Sequence, residues 1–202
     1  MENKSFCRCS WVKDALLLDY HDTIYGRRRQ TDHQLFAKLC LEGFQAGLSW
    51  RTVLAKQPAF EQVFAEFNPQ ICATLEDAYL DSLMLNPSII RNRRKIYAVR
   101  SNARALLQHY AKPNSFYELV YSGISPQALS LLLKKQGFSF CGPTICESFL
   151  MSVGAMEAHE PQCYLYGCLL YTSLFLFTAQ FNLQIFSLPN LWEIPSYSLW
   201  QD

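Results

Sequence analysis

Apolar residues recur along this chain at intervals of three and four, which is the period of an amphipathic α-helix. Between breaks at proline and glycine, the pattern predicts helices near residues 59–66, 75–84, 91–109 and 125–135, and another that opens at Gly142 and Pro143. Residues 1–30 are predicted to be loop and short helix, and we find neither a strand-like alternation nor an internal repeat. The fold class predicted from this pattern is all-α, a helical bundle.

The most regular part of the pattern lies between Thr31 and Trp50. Thr31 is a predicted N-cap, with a glutamine at the capping-box position three residues later. The predicted helix carries an apolar stripe, while Glu42, Gln45 and Ser49 fall on another line of the same helix. The pattern therefore directs a carboxylate, an amide and a hydroxyl to one side.

Glu42 is the only charged residue between Leu39 and Trp50. A carboxylate in apolar surroundings needs hydrogen-bond donors or a positive partner, because desolvating an unpaired charge is costly. Two interpretations remain open at this point. Glu42 is either a salt-bridged or partly exposed glutamate, or the floor of a pocket for a cationic or hydrogen-bond-donating ligand.

Composition bounds the remaining classes. A chain of 202 residues, 50% of them hydrophobic, suits one domain or one domain plus a tail. The net charge of +1 does not require a nucleic acid partner, although arginines cluster in residues 27–29 and 91–104. Those clusters are either solvated helix faces or a contact surface for phosphate.

The chain has eight cysteines, and its first residues lack the apolar segment of a signal peptide. We therefore expect a reducing, cytoplasmic location and free thiols. The thiols with apolar, periodic neighbours are interpreted as buried core residues; these are Cys40, Cys72, Cys141 and Cys146.

Two further patterns suggest chemistry. Residues 125–154 are predicted to form a helix, a glycine-bounded turn and a second helix, whose free backbone N–H groups would suit a DNA phosphate; an ordinary helical hairpin is the alternative. His159 and Cys163 form an H-x-x-x-C pair, and Cys9 and His21 offer a second pair. Two thiolates and two imidazoles would form a closed structural zinc site, unless the pairs are unconnected.

Several motifs together resemble the 3-methyladenine DNA glycosylase I family, which comprises helix-hairpin-helix enzymes of base-excision repair. The resemblance covers Cys9 to Cys163. It rests on C-x-W at residues 9–11, Y-H-D at 20–22, L-E-G-x-Q-A-G-L-S-W at 41–50, I-I-R-N-R at 89–93, N-A-R at 102–104, G-F-x-F-x-G at 137–142, T-I-C at 144–146 and the closing H-x-x-x-C.

The resemblance implies a monofunctional hydrolase that releases 3-methyladenine from alkylated double-stranded DNA. Its all-α fold would contain a helix-hairpin-helix element and one structural zinc that joins the N- and C-terminal regions. The implied zinc ligands are Cys9, His21, His159 and Cys163. The implied base pocket has Glu42 as its catalytic residue, with Tyr20, Trp50, Trp11 and Tyr25 around the base; Tyr25 stands where the family usually has tryptophan. The implied DNA contacts are Gly137, Phe138, Gly142 and Thr144.

The residues themselves are consistent with this chemistry. Alkylation at N3 makes the purine cationic and a good leaving group, so aromatic faces and one carboxylate would favour the damaged base. Related enzymes with lyase activity carry a lysine just after the hairpin, whereas this chain has Pro143 and Thr144 there. We therefore expect water to be the final acceptor.

The predicted domain spans residues 1–163, and residues 164–202 form an atypical apolar tail. No charged residue occurs between Tyr164 and Trp192. We interpret this tail as a non-native extension, disordered or loosely packed, or as a partner-binding segment. Interspersed polar residues and the lack of flanking basic ones argue against membrane insertion, so we expect no stable membrane association. We also expect the protein to be a monomer. Two alternatives to the glycosylase are a catalytically inactive, zinc-stapled DNA-binding module and a zinc hydrolase.

Overall fold

The computed structural model of the protein describes residues 7–167, which form an all-helical fold without strands. The all-α prediction is therefore confirmed for this part of the chain. Its nine α-helices are α1 (Ala15–Thr23), α2 (Asp32–Gln45), α3 (Trp50–Val63), α4 (Pro69–Thr74), α5 (Asp77–Ser82), α6 (Arg93–His109), α7 (Ser115–Val120), α8 (Pro126–Lys135) and α9 (Pro143–Ser152). Short 3-10 turns follow α3 and α5, at Ala65–Phe67 and Leu83–Leu85.

Side-chain caps explain where several helices begin. The hydroxyl of Thr31 accepts a hydrogen bond from the backbone N–H of Gln34, as the capping pattern predicts. Ser125 caps α8 in the same way, with Pro126 in the first helical position, where a missing N–H costs nothing. The predicted long helix near residues 91–109 corresponds to α6, whose inward residues Ile96, Val99, Ala103 and Leu106 are all buried.

The predicted continuous helix from Thr31 to Trp50 is wrong. Helix α2 ends at Gln45, Gly47 has φ +79°, and Ser49 caps α3 through the N–H of Thr52. The buried Lys95 fixes this end, because its ammonium donates to the carbonyls of Phe44 (2.8 Å) and Ala46 (2.6 Å). Glu42 and Ser49 therefore lie on different helices.

The next predicted helix, residues 59–66, begins too late. Helix α3 starts at Trp50, and Pro58 lies inside it. A proline in a helix interior removes one backbone hydrogen bond. Burial of Val53, Leu54 and Phe60 along the same helix offsets this loss.

The core lies between α2, α3, α6, α8 and α9 and is rich in phenylalanine. The rings of Phe44 and Phe60 are 4.2 Å apart, and Phe64 stacks between Phe60 and Phe67. The four thiols predicted to be core residues are buried. This core holds α2, and with it Glu42, against the turn between α8 and α9.

The two ends of the described segment meet. The N–H of Gly26, in the loop after α1, donates to the carbonyl of Ser152 at the end of α9 (3.1 Å), and Tyr164 donates to Cys7 (2.9 Å). A Cβ on Gly154 would lie 2.2 Å from the carbonyl oxygen of Gly26, so this approach requires glycine. The contact brings residues near both ends of the domain to the same place.

No helix within residues 7–167 is long and apolar enough to cross a membrane. Nearly all of the predicted apolar tail, from residue 168 onwards, lies outside the described residues. The predictions about that tail and about a domain boundary at residue 163 stay predictions.

Candidate functional site

An open cavity of about 360 Å³ lies between α1, α2 and α3. Its aromatic walls come from Tyr20 in α1, Trp50 at the start of α3, and Trp11 and Tyr25 in the flanking loops. The Tyr20 ring centroid lies 5.3 Å from that of Trp50 and 5.7 Å from that of Tyr25. Such walls offer several π faces to a flat ring.

Glu42 supplies the buried acidic group of this cavity. Its side chain is 3% exposed, and Oε1 forms an ion pair of 2.9 Å with the ammonium of Lys38. The other oxygen, Oε2, is buried and has no hydrogen-bond partner in the described part of the protein. A buried carboxylate oxygen without a donor is costly, so Oε2 suits a ligand that donates a hydrogen bond.

Lys38 lies behind the aromatic wall and does not line the cavity. Its Nζ donates to the Tyr20 hydroxyl at 2.8 Å and lies 3.6 Å from the centroid of the Trp50 ring. Burial lowers the pKa of Lys38 to about 8, against the opposing effect of the Glu42 charge. Burial, followed by the Glu42 charge, raises the pKa of Tyr20 well above its ordinary value, so its hydroxyl keeps its proton.

Both sequence interpretations of Glu42 hold at once, because this residue is salt-bridged and also lines a cavity. The partner of its charge within the described part of the protein is Lys38. The apolar stretch considered around Glu42 begins at Leu39, and Lys38 is the residue just before it. The i, i+4 spacing of Lys38 and Glu42 is a signal that would have identified the pair.

The cavity brings together all five residues predicted to surround the base, Trp11, Tyr20, Tyr25, Glu42 and Trp50. Gln45 and Ser49, which were predicted to point to the same side as Glu42, also line it. Sequence reasoning missed three more lining residues, Leu17, Arg51 and Ser148. Ser148 comes from α9, more than a hundred residues after Glu42 in the chain, and no local pattern indicates it. Arg51 pairs with Asp14, the N-cap of α1, and so joins α1 to α3.

A second group of side chains lies beside the cavity and contains the four predicted metal ligands. One ligand atom each from Cys9, His21, His159 and Cys163 lies within 4.8 Å of the others, and all four residues are buried. His21 Nε2 is 3.2 Å from His159 Nδ1 and 3.4 Å from Cys163 Sγ; His159 Nδ1 is 3.6 Å from Cys9 Sγ. Cys7 is exposed and outside the group.

Asp22 orients this group. One of its oxygens lies 2.7 Å from His21 Nδ1, the ring nitrogen that faces away from the thiols. The Arg8 guanidinium, bonded to the same carboxylate at 2.8 to 3.0 Å, holds the pKa of Asp22 well below its usual range. A carboxylate behind a histidine is the usual arrangement in metal sites, where it sets the tautomer and the ring orientation.

The four-residue group and the cavity share a wall. The Trp11 ring, which lines the cavity, is 5.2 Å from the His21 ring, and His21 is the neighbour of Tyr20 in α1. Tyr25 packs edge-on against His159, with centroids 5.3 Å apart. Displacement of either histidine would therefore disturb the aromatic walls.

The turn between α8 and α9 and the first turn of α9 contain the four predicted DNA contacts. Gly137 has φ +89° and is exposed, whereas the Phe138 side chain is buried against Phe116. Gly142 occupies the cap position of α9 without a side-chain hydrogen bond. Since Pro143 has no N–H, the first free donor inside this helix is the N–H of the exposed Thr144.

A wide groove of about 890 Å³ runs between this turn and α6. Its basic lining residues are Arg94, Arg100, Arg104 and Lys134. Arg100 is also paired with Asp77 at 2.6 Å, and Arg104 donates to the carbonyl of Ala73, so these two arginines also stabilise the fold. The arginine cluster of α6 is thus partly structural and partly a basic surface beside the turn.

Comparison with known proteins adds an independent result. The sequence profile of the methyladenine glycosylase family matches residues 11–128 and 123–166. A DNA-3-methyladenine glycosylase of Haemophilus influenzae is 34% identical over 177 residues, which cover 77% of this chain and 96% of that protein. DNA-3-methyladenine glycosylase 1 of Escherichia coli is 37% identical over 180 residues, with coverage of 79% and 96%.

Solved structures lead to the same family. A crystal structure of a 3-methyladenine DNA glycosylase I superimposes with a TM-score of 0.74 at 36% identity, covering 79% of this chain and all of that one. A structure of the Staphylococcus aureus glycosylase, described in terms of 3-methyladenine recognition, has a TM-score of 0.70 at 33% identity and coverage of 75% and 92%. The chain therefore belongs to the family of 3-methyladenine DNA glycosylases I.

Proposed function

We propose that this protein hydrolyses the N-glycosidic bond of 3-methyladenine in alkylated double-stranded DNA, as a monofunctional glycosylase of base-excision repair. The observation that carries the proposal is the unpartnered Oε2 of Glu42 in an aromatic cavity. Relatives at 34% and 37% identity carry the name of this activity.

The cavity suits a cationic purine for two reasons. The faces of Tyr20 and Trp50 attract a positively charged ring more than a neutral one. Glu42 Oε2 can accept a hydrogen bond from the exocyclic amine of adenine, which supplies the donor that this oxygen lacks. Trp11 and Tyr25 complete the walls. Recognition of the charge therefore distinguishes the damaged base from the neutral bases of normal DNA.

The chemistry needs little beyond positioning. When the bond between C1′ and the purine breaks, the electron pair neutralises the positive base, so the leaving group requires no acid. Water supplies the hydroxyl that C1′ receives. Among the described residues no lysine lines the cavity, and Lys38 is held behind Tyr20 and Trp50. A Schiff base with the sugar is therefore not expected, which supports a glycosylase without lyase activity.

We also propose that Cys9, His21, His159 and Cys163 bind one structural zinc. In a tetrahedral site, bonds of about 2.0–2.3 Å place the ligand atoms roughly 3.3–3.8 Å apart. Four of the six distances between these ligand atoms are 3.2 to 3.7 Å and fit that geometry. Four protein ligands leave no open position, so the metal would join the two ends of the domain without activating water. This argues against the zinc hydrolase alternative.

We further propose that α8, the turn and α9 form a helix-hairpin-helix element that binds DNA phosphate. The N–H groups at the start of α9 and the basic groove beside the turn support this role. The Phe138 side chain contributes through packing, because it is buried.

Replacing Gly142 tests the hairpin. A Cβ at this position would meet no atom of the described residues within 4 Å, and φ is −63°, so Gly142→Leu should fold normally. We expect it to weaken binding to duplex DNA of any sequence by about tenfold or more, because its side chain obstructs the backbone donors that hold phosphate. The measurement is a DNA titration at several salt concentrations.

Ala128→Leu is the matched control, since it adds the same side chain to an exposed position at the other end of α8. This control should bind DNA like the parent. Equal affinities for the parent and Gly142→Leu would place the DNA contact elsewhere.

The activity is tested by incubating the protein with methylated duplex DNA and identifying the released bases by chromatography. The expected product is free 3-methyladenine, with no strand cleavage by the protein itself. DNA binding without any released base would instead favour the inactive DNA-binding module.

A further inference from the structure

Lys38 contacts three of the residues that give the cavity its chemical character, Glu42, Tyr20 and Trp50. Its Nζ lies 2.9 Å from Glu42 Oε1, 2.8 Å from the Tyr20 hydroxyl and 3.6 Å from the centroid of the Trp50 ring. The side chain is 5% exposed. One buried ammonium thus joins α2 to α1 and α3 directly behind the proposed base site.

These contacts determine which polar atoms a ligand can use. Because Lys38 occupies Oε1, the carboxylate of Glu42 presents Oε2. An ammonium has only donors, so the Tyr20 oxygen must accept from it, and the tyrosine O–H stays available to donate. Glu42 is therefore presented as an acceptor, and Tyr20 as a donor.

We propose that Lys38 is a positioning residue that sets the preference of this cavity for adenine over guanine among N3-methylated bases. This inference rests on the proposed glycosylase function. Adenine carries a donor amine at position 6, which Glu42 Oε2 can accept. Guanine carries a carbonyl oxygen there, and an ionised carboxylate repels it. By keeping Glu42 ionised, Lys38 excludes the form that could donate to guanine.

A neutral residue at position 38 would change the protonation of Glu42. Without its ion-pair partner, a buried carboxylate takes up a proton more readily, because desolvation disfavours the charged form. A protonated Glu42 could donate to the guanine carbonyl and could no longer accept as strongly from the adenine amine. Selectivity should then fall at low pH and return at high pH.

Within residues 7–167, five other charged or titratable groups surround the pair. They are Tyr20 of α1, Tyr25 and Arg29 of the following loop, and Arg51 and Glu61 of α3. Burial raises the pKa of both tyrosines, so neither loses its proton near neutral pH. Arg51 is paired with Asp14, and Glu61 accepts from Gln57. Lys38 lines the smaller cavity behind the wall.

The test is the ratio of 3-methyladenine to 3-methylguanine released from one preparation of methylated duplex DNA, measured between pH 6 and pH 9. For Lys38→Met we expect this ratio to fall by about tenfold at pH 6, the difference between a charge-assisted and a neutral hydrogen bond. The difference from the parent should close above about pH 8, where Lys38 itself loses its charge.

Two controls separate this role from loss of structure. Lys95→Met removes another buried lysine, one that donates to backbone carbonyls; it should alter stability or rate without changing the ratio or its pH dependence. In a Glu42→Gln background, Lys38→Met should have no further effect on the ratio. Lys38→Gln keeps a hydrogen-bond donor without the charge, and it replaces Lys38→Met in the test if that variant folds poorly. It should show the same pH dependence of the ratio.

A parent-like ratio and pH profile in both Lys38 variants would overturn the inference, as would an equal effect of Lys38→Met in the Glu42→Gln background. If the parent releases no base, the proposed activity fails. In that case the inference is tested by binding. Quenching of tryptophan fluorescence gives the affinities for free 3-methyladenine and free 3-methylguanine, and their ratio is compared between the parent and the Lys38 variants. A parent that binds neither base would overturn it as well.

Discussion

The Cys163→Ala variant is expected to lose several kcal/mol in its free energy of unfolding, together with one equivalent of zinc. The four proposed ligands form two pairs that are more than a hundred positions apart, so the complete site exists only in the folded chain, and the binding energy of a metal there would contribute to folding. Thermal unfolding and metal analysis of the purified protein measure the two effects. Glycosylase activity should fall as a consequence, because His21 packs against Trp11 of the cavity wall.

Cys72→Ala is the matched control, because Cys72 is also a buried thiol but lies outside the four-residue group. It should retain zinc and lose only the packing of one sulfur atom and its weak hydrogen bond to the Phe64 carbonyl. A chelator should lower the unfolding temperature of the parent and of Cys72→Ala, and leave that of Cys163→Ala unchanged. Absence of zinc from the parent, with equal stabilities for the parent and Cys163→Ala, would refute the metal site.

The second large effect is expected for Glu42→Gln. This substitution keeps the shape of the side chain and one acceptor but removes the charge. Binding of free 3-methyladenine should weaken by roughly 1.5–3 kcal/mol, the range of a charge-assisted hydrogen bond. Calorimetry or tryptophan fluorescence measures the binding, and the excision assay should show a parallel loss. Glu61→Gln, which makes the same change at the smaller cavity behind the wall, is the matched control.

Glu42→Gln should also change how stability depends on pH. Burial holds the pKa of Lys38 at about 8, below that of an unfolded lysine, so the unfolded chain binds the proton more tightly and stability rises with pH through this range. The charge of Glu42 opposes this lowering of the Lys38 pKa, so without it the pKa falls further. The pH range over which stability rises then extends to lower pH. The variant should therefore be more destabilised at pH 6 than at pH 9. If Glu42→Gln binds, excises and unfolds like the parent, charge recognition by Glu42 is wrong.

Local sequence patterns were sufficient to predict the features that depend on interactions between neighbouring residues. The Thr31 cap, the buried face of α6, and the end of α8 with the start of α9 all depend on residues within a few positions of one another, and the structure has each as predicted. The position of the Glu42 carboxylate within an apolar stretch was also visible. These features arise from backbone hydrogen bonds and helical periodicity, which neighbouring residues specify.

Tertiary structure decided the features that depend on distant residues. The break after Gln45 is stabilised by Lys95, about fifty positions later, which donates to the last carbonyls of α2. The four metal-ligand candidates converge where both ends of the domain meet, and the close approach of Gly154 to Gly26 is part of that contact.

Lys38, the partner of Glu42, shows most clearly what the sequence specifies and what the tertiary structure adds. The i, i+4 spacing of Lys38 and Glu42 is contained in the sequence by itself. Whether that lysine reaches solvent or remains buried depends on Tyr20 and Trp50, which two other helices place over its ammonium. Burial turns an ordinary surface pair into a contact that orients the carboxylate, because the low dielectric strengthens each hydrogen bond that remains.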